Sequence, residues 1–294
     1  MKQKSNENNT NNILMRIKNE LAGVSNDSEA EAEIILSAVL KQSRESIRGS
    51  LKNEVLRREL SKILSIVSKR KKGMPLGYAL GCVNFLGSEI NINRGVLIPR
   101  TETEDLVFKA VELLKKKDKS LKIAEVGTGS GCISIAIAKR LPKASITAID
   151  NSSRALNIAK KNIVNTGLEK KIKLLKNDLI EGVKENFDLI IANLLYIPWG
   201  RKNFLDKSVL DWEPHVALFG GVDGFDFYRK LFKEIVMQKN LKKKSLILVE
   251  IDDSHGIIAQ IEAKKFFPSS RIKISKDKSG FTRYLEIKSV MILT

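Results

Sequence analysis

The hydrophobic positions of this chain change their period twice along its length. After a polar, Asn-rich stretch over Met1–Asn12, the segment from Ile13 to Leu21 reads as a short helix. Asn26, Asp27 and Ser28 then offer N-cap oxygens ahead of a second stripe, Ala32, Ile35, Leu36, Val39 and Leu40, spaced i, i+3, i+4. A third stripe, Leu56, Leu60, Ile63, Leu64 and Val67, repeats that spacing. An amphipathic helix must bury its apolar face against a partner, so residues 13–72 are expected to form a small helical bundle behind a disordered leader over 1–12.

The helical period breaks at Gly73 and Pro75, and Val83, Phe85, Ile90 and Ile92 then alternate around Gly87-Ser88. That pattern predicts a β-hairpin linker over 73–95. From Lys122 onward, short β-branched runs are separated by helical stretches: Ile123 to Val126, Ile146 to Ile149, Ile172 to Leu175, Phe187 to Ile191 and Leu246 to Glu250. Strands alternating with helices predict a mostly parallel sheet covered on both faces, within one domain over 96–294. Ile272 to Ser275 and Tyr284 to Lys288, around Ser279-Gly280, read as a closing antiparallel pair.

Composition narrows the chemistry. Of 294 residues, 52 are Lys or Arg and 34 Asp or Glu, giving +18, while Cys82, Cys132, His215 and His255 are the whole supply of thiol and imidazole. A structural zinc site or disulfide framework is not expected, and no metal is. With no apolar run of the roughly 18–20 residues a span needs, and no secretory leader pattern, the reading is a cytoplasmic protein without a membrane partner. The basic residues fall in short scattered groups, as on a solvated surface, although ribosome or RNA proximity is an alternative use for such charge.

The strongest local signal is Glu125-Val126-Gly127-Thr128-Gly129-Ser130-Gly131-Cys132, between the first strand of the parallel series and a helix over Ile133 to Leu141. Its G-x-G-x-G spacing differs from the G-x-G-x-x-G dinucleotide fingerprint, and an acid beside the loop suits an ammonium group better than a pyrophosphate. Asp150 ends the next strand nineteen residues beyond Gly131, where a carboxylate can accept ribose hydroxyls. Asp178, with Leu179, follows the third strand at the same edge, within reach of an adenine amino group. An adenosine nucleoside carrying an amino acid satisfies all of these positions, which points to S-adenosylmethionine as cofactor. Cys132 reads as a small buried helix residue, and His255 as a loop residue.

The fourth strand ends in Asn193-Leu194-Leu195-Tyr196-Ile197-Pro198. Together with Val96 to Glu104, the glycine loop, and Glu213-Pro214 with Gly224-Phe225-Asp226-Phe227-Tyr228, this stretch resembles the glutamine N5-methyltransferases that modify the Gly-Gly-Gln loop of peptide chain release factors. The resemblance runs over nearly the whole chain. It implies an α/β fold of the class I methyltransferase type, Rossmann-like with a seven-stranded mostly parallel sheet, plus an N-terminal substrate-recognition bundle. It also implies cofactor contacts from Glu125, Gly127, Thr128, Gly129, Ser130, Gly131, Asp150, Asp178, Leu179 and Asn193. Methyl transfer to a release-factor glutamine would yield S-adenosylhomocysteine.

In that family an Asn-Pro-Pro-Tyr turn holds the planar acceptor amide. Carried over, Asn193 and the Leu194 carbonyl would take the amide hydrogens, Tyr196 would pack on its face, and Leu195 would complete the turn. Leu194-Leu195 stands where the family has two prolines, and Thr101 where it usually has one. Glu102 is a first-turn acid that the resemblance makes a pocket-closing, substrate-side residue, and Glu104 shares both readings. His215, beside Pro214, lies nearer the active edge than His255. Alternatives are glutamine methylation of a ribosomal protein, N6-methylation of RNA adenine, and a degenerate S-adenosylmethionine-binding module without catalysis.

Overall fold

The structure, a computed structural model, describes residues 8–49, 53–115, 120–214 and 218–289. The chain divides into two compact units, Met1–Cys82 and Val83–Thr294.

In the first unit, α1 (Thr10–Leu21), α2 (Ser28–Leu40) and α4 (Arg57–Lys71) carry the three expected stripes, with α3 (Arg44–Gly49) between the last two, and α5 (Leu76–Leu80) follows them as a helix inside the stretch expected as a hairpin linker. The helix expected from Ile13 starts at Thr10, because the Asn9 side chain accepts the Asn12 N–H and caps it. Of the leader expected to be disordered over 1–12, residues 1–7 lie outside the described residues, and Thr10–Asn12 are instead the first turn of α1. Ile13, Ile17, Ile35, Leu36, Ile63 and Val67 form the core of the unit. The apolar pattern does not show its charged staples. Glu33, almost fully buried, accepts from both Arg44 and Arg48, and Arg70 forks onto the two Glu31 oxygens at 2.8 Å. A bidentate guanidinium satisfies a buried carboxylate more completely than an ammonium can.

The hairpin strands β1 (Cys82–Phe85), whose first residue is the last of the first unit, and β2 (Ser88–Asn91) lead into the second unit, then α6 (Thr101–Leu114). The alternating strands and helices follow as β3 (Lys122–Val126), α7 (Cys132–Arg140), β4 (Ser145–Asp150), α8 (Ser153–Asn165), β5 (Ile172–Lys176) and β6 (Phe187–Ala192). The chain ends through α9 (Lys207–Trp212), α10 (Asp226–Gln238), β7 (Leu241–Glu250), α11 (Gly256–Phe266), β8 (Arg271–Lys276) and β9 (Thr282–Lys288). Seven strands make one sheet in the order β5-β4-β3-β6-β7-β9-β8. β9 runs antiparallel to β7 and to β8, and the other pairings are parallel. Every residue of β6 is buried, which requires cover on both sheet faces and suits its apolar run Leu189–Ala192, while the buried Asp188 accepts from the Lys122 N–H at 2.9 Å and from Lys242 at 2.6 Å.

Parallel register sets the site. Val126 pairs with Ile149 and with Ala192, and Ala192 pairs with Val249. One residue further on, Gly127, Asp150, Asn193 and Glu250 therefore emerge at one level on the carboxyl edge. Asn162 on α8, with no exposed surface, ties two neighbouring pieces to that edge. Its Oδ1 accepts from the Asn91 N–H at 2.8 Å, and its Nδ2 donates to the carbonyls of Asn91 and Ser130, both at 2.9 Å. The hairpin and the glycine loop thus share one buried amide. Asn162→Ala strands the Asn91 N–H and two carbonyls, and is expected to lower stability by about 2–4 kcal/mol. Chemical denaturation checks this, and a loss under 0.5 kcal/mol would show the amide to be dispensable.

Candidate active site

The glycine loop turns because three of its residues take left-handed backbone angles, Gly127 at φ 77°, Gly129 at 55° and Gly131 at 80°. The Gly127 and Thr128 N–H groups both donate to the Ile149 carbonyl at 2.9 Å, which folds the loop back over β4. A Cβ on Gly127 would also meet Leu194 Cδ2 at 2.7 Å, so the missing side chain makes room for the turn after β6.

Beside this loop lies a cavity of about 320 Å³. Its walls include Val96, Leu97 and Arg100, then Gly127 and Gly129, and Asn193 to Ile197, with Pro214 and Phe227 beyond. All four stretches that carried the family resemblance therefore reach one cavity. Glu213 joins two of them, accepting from Arg100 at 2.6 Å and from the Ile98 N–H at 3.4 Å while itself buried.

The expected cofactor residues divide into those on the cavity wall and those behind it. Gly127, Gly129, Asp150, Asp178, Leu179 and Asn193 are on the wall. Asp150 uses one oxygen for the Gly129 N–H at 2.9 Å and the other for the Ser152 N–H at 2.8 Å, leaving further lone pairs for hydroxyl donors. Burial raises its pKa from the usual 3.8. Asp178 is half exposed and paired with Lys230 at 2.5 Å, so a ligand amino group would share it with an ammonium.

Glu125, Thr128, Ser130 and Gly131 stand behind the wall. Glu125, expected to meet the ammonium group, turns Oε2 into the loop, where it accepts from the Thr128 hydroxyl at 2.7 Å and from the Ser134 N–H and hydroxyl. Spacing could place an acid beside the loop but not decide whether it faced the ligand or the loop itself. Its Oε1 is buried with no hydrogen-bond partner, and burial pushes the carboxyl up to about 7. Glu102 is likewise off the wall. Its carbonyl accepts the Tyr284 hydroxyl at 2.8 Å, while Glu104 accepts the Leu86 N–H at 3.1 Å and so anchors the hairpin.

The turn after β6 is held from beneath by groups to which sequence reasoning gave no role. Asn193 Nδ2 donates to Thr103 Oγ1 at 3.0 Å, and the Thr103 hydroxyl donates to Glu250 Oε2 at 2.9 Å. The Tyr196 hydroxyl donates to Glu250 Oε1 at 3.1 Å. Tyr228, fully buried, accepts the Leu194 N–H at 3.1 Å and donates to the Glu250 carbonyl. A proline at 194 has no N–H to offer, so this chain fixes by a hydrogen bond what a proline ring would fix covalently. Gly224, at φ 79°, packs so closely on the Tyr196 carbonyl that any Cβ would collide with it. Thr103 and Tyr228 lay inside motifs already noted. Glu250 follows the rule that found Asp150, being the polar end of a core strand.

Cys132 is buried with its thiol pushed up to about 12, which suits packing and not nucleophilic attack. His255, expected in a loop, is buried in a short 3-10 turn, with Nε2 2.9 Å from the Asp223 carbonyl. His215 lies outside the described residues. Among the described residues no cluster of His, Cys, Asp or Glu is placed to hold a metal, and no helix is long and apolar enough to cross a membrane.

Fold and site together define a class I methyltransferase. Residues 109–194 match the methyltransferase small domain family, and residues 12–81 match the PrmC N-terminal domain. The chain is 30% identical over 260 residues to a release factor glutamine methyltransferase of Bacillus anthracis, covering 87% of this chain and 90% of the relative. It is 34% identical over 274 residues to one of Flavobacterium psychrophilum, covering 91% and 94%. A methyltransferase structure from Pyrococcus furiosus shares the fold at a TM-score of 0.51 and 18% identity, over 80% of this chain and all 100% of that one. The chain belongs to the release factor glutamine methyltransferase family.

Two outcomes follow from this geometry. Burial holds Glu125 and Glu250 at about 7 against an ordinary 4.5, so over that interval the folded state binds more protons than the unfolded chain. Stability should fall as pH rises from about 5 to 8, with a shallower slope in Glu125→Gln. Denaturation curves across that range check it, and identical slopes would count against the assignment. Separately, Tyr228→Phe should cost about 1–3 kcal/mol, and less in a Leu194→Pro background where the N–H is already gone. A double-mutant cycle with no coupling would show that the Leu194 bond contributes nothing.

Proposed function

We propose that this chain transfers a methyl group from S-adenosylmethionine to the side-chain amide nitrogen of the glutamine in the Gly-Gly-Gln loop of a peptide chain release factor. The observation that carries the reading is the Asn193–Tyr196 turn, which leaves β6 into the same cavity as the glycine loop and Asp150. The donor set fits a nucleoside bearing an amino acid: exposed glycine backbone at Gly127 and Gly129, the Asp150 carboxylate, and apolar walls from Ile149, Ala155 and Leu179. Bound there, that cofactor supplies an electrophilic methyl on a sulfonium.

The protein's own task is to make a poor nucleophile attack. An amide lone pair is delocalised into its carbonyl, and acceptors aligned on its two hydrogens draw it toward the nitrogen. Asn193 Oδ1 and the Leu194 carbonyl are the acceptors assigned here, and Tyr196 packs against the amide plane. No strong base is required, since the nitrogen becomes acidic once alkylated. The helical unit is assigned to recognition of the protein substrate.

Incubating the protein with a bacterial release factor and S-adenosylmethionine should add one methyl to the Gly-Gly-Gln glutamine, read by peptide mass spectrometry. Asn193→Ala should lower the rate by on the order of 10²-fold. A methyl elsewhere, or none despite cofactor binding, would overturn the reading.

A further inference from the structure

The acceptor assigned to Asn193 works only if its amide oxygen, and not its NH2, faces the substrate. A free asparagine amide can rotate half a turn and present either group, so something must set its sense. The buried chain behind it does. The Thr103 hydroxyl owns one hydrogen and directs it to Glu250 Oε2 at 2.9 Å. Its oxygen can then only accept on the other side, and it takes the Asn193 Nδ2 hydrogen at 3.0 Å. With the NH2 engaged, Oδ1 is the atom left for a ligand.

We propose that Thr103 and Glu250 are positioning residues that fix the rotation of the Asn193 amide, so that the acceptor glutamine meets an oxygen and is selected as a hydrogen-bond donor. The inference rests on the function proposed above and adds two residues to it. Glu250 closes β7, so its placement follows from the strand register and not from a loop. Its second oxygen accepts the Tyr196 hydroxyl at 3.1 Å, so the same carboxylate sets both ends of the acceptor turn. Thr103 and Glu250 are both buried, which keeps water from substituting for either partner.

The relay has a sense only while Glu250 is an acceptor. Protonated, it can donate to Thr103, whose hydrogen is then free to turn toward Asn193 and reverse the amide. The groups facing Glu250 are Thr103 and Glu102 from α6, Tyr196 after β6, Tyr228 from α10, and Arg283 and Tyr284 from β9. Burial raises its pKa to about 7, against the Thr103 and Tyr196 hydrogen bonds and the Arg283 charge, which lower it. Tyr196 itself is held well above the ordinary phenol range and stays a donor.

The test is kcat against pH on a full-length release factor, for wild type, Glu250→Gln, Thr103→Val and Thr103→Ser. Wild-type kcat should rise with pH through about 7, and Glu250→Gln should lose that acid limb. Thr103→Val should lower kcat by tenfold or more, on the order of the loss for a misplaced catalytic group, with S-adenosylmethionine affinity within about twofold. Thr103→Ser should restore most of the loss. An unchanged acid limb in Glu250→Gln, or equal rates for Thr103→Val and Thr103→Ser, would overturn the relay. If Glu250→Gln fails to fold by circular dichroism, the Thr103 pair decides. If wild type leaves the release factor unmethylated, the proposed function fails, and the relay is judged by the Asn193 side-chain amide resonance. Slow exchange that Thr103→Val abolishes supports it, and an identical signal in both proteins rejects it.

Discussion

The register of four parallel strands is the constraint from which the rest of the site follows. Most side chains of β3, β4, β6 and β7 are buried against the cover on the two sheet faces, and a slip of one residue would exchange every side chain between those faces. With Val126, Ile149, Ala192 and Val249 aligned, the next residue on each strand meets the edge together. Gly127, Asp150, Asn193 and Glu250 are thus neighbours by virtue of core packing, although they span more than a hundred positions in the chain. The hydrophobic effect that builds the sheet is also the force that assembles the polar edge.

A turn built without prolines needs another source of rigidity, and the structure supplies it from below. Leu194 keeps an N–H, and Tyr228 takes it up while reaching the Glu250 carbonyl on the neighbouring strand. Gly220 and Gly224 let a second loop lie flat against the Leu195 and Tyr196 carbonyls, where any side chain would force them apart. Leu194 meanwhile fills the space that Gly127 leaves open. The departure from the family's Asn-Pro-Pro-Tyr form is accommodated by packing and hydrogen bonding that a proline could not use.

Much of the architecture was legible because periodicity is a local property. The seven main-sheet strands were visible, five as short β-branched runs and two as a closing antiparallel pair, and the three main bundle helices as stripes. α3 and α5 were not, being too short to show a period. The site was legible only as far as its residues follow strands in order, as Asp150 and Asn193 do. The partners that orient them come from far along the chain: Thr103 lies 147 positions from Glu250, and Asn162 lies 71 from Asn91. No spacing rule connects such pairs. Glu125 shows a different limit, since spacing gave its position but not the loop donors that one of its oxygens gathers. A carboxylate beside a glycine loop can close the loop with one oxygen, and only the placement of Thr128 and Ser134 shows which oxygen does so.

The buried carboxylates sharpen the relation between stability and chemistry. A core of this size could carry apolar residues at positions 125 and 250, and desolvation of two acids opposes folding. Each instead stands at the end of a core strand, directly beneath a loop that must hold a particular shape. Glu125 gathers three donors from the glycine loop and its helix, and Glu250 gathers hydroxyls from two separate elements. An ionised carboxylate only accepts, so it dictates the direction of every hydrogen bond around it, which no apolar residue and no hydroxyl can do. What the fold loses in desolvation it regains as a defined hydrogen-bond polarity at the cavity edge, where a planar acceptor amide could otherwise be met by a donor or an acceptor with equal ease.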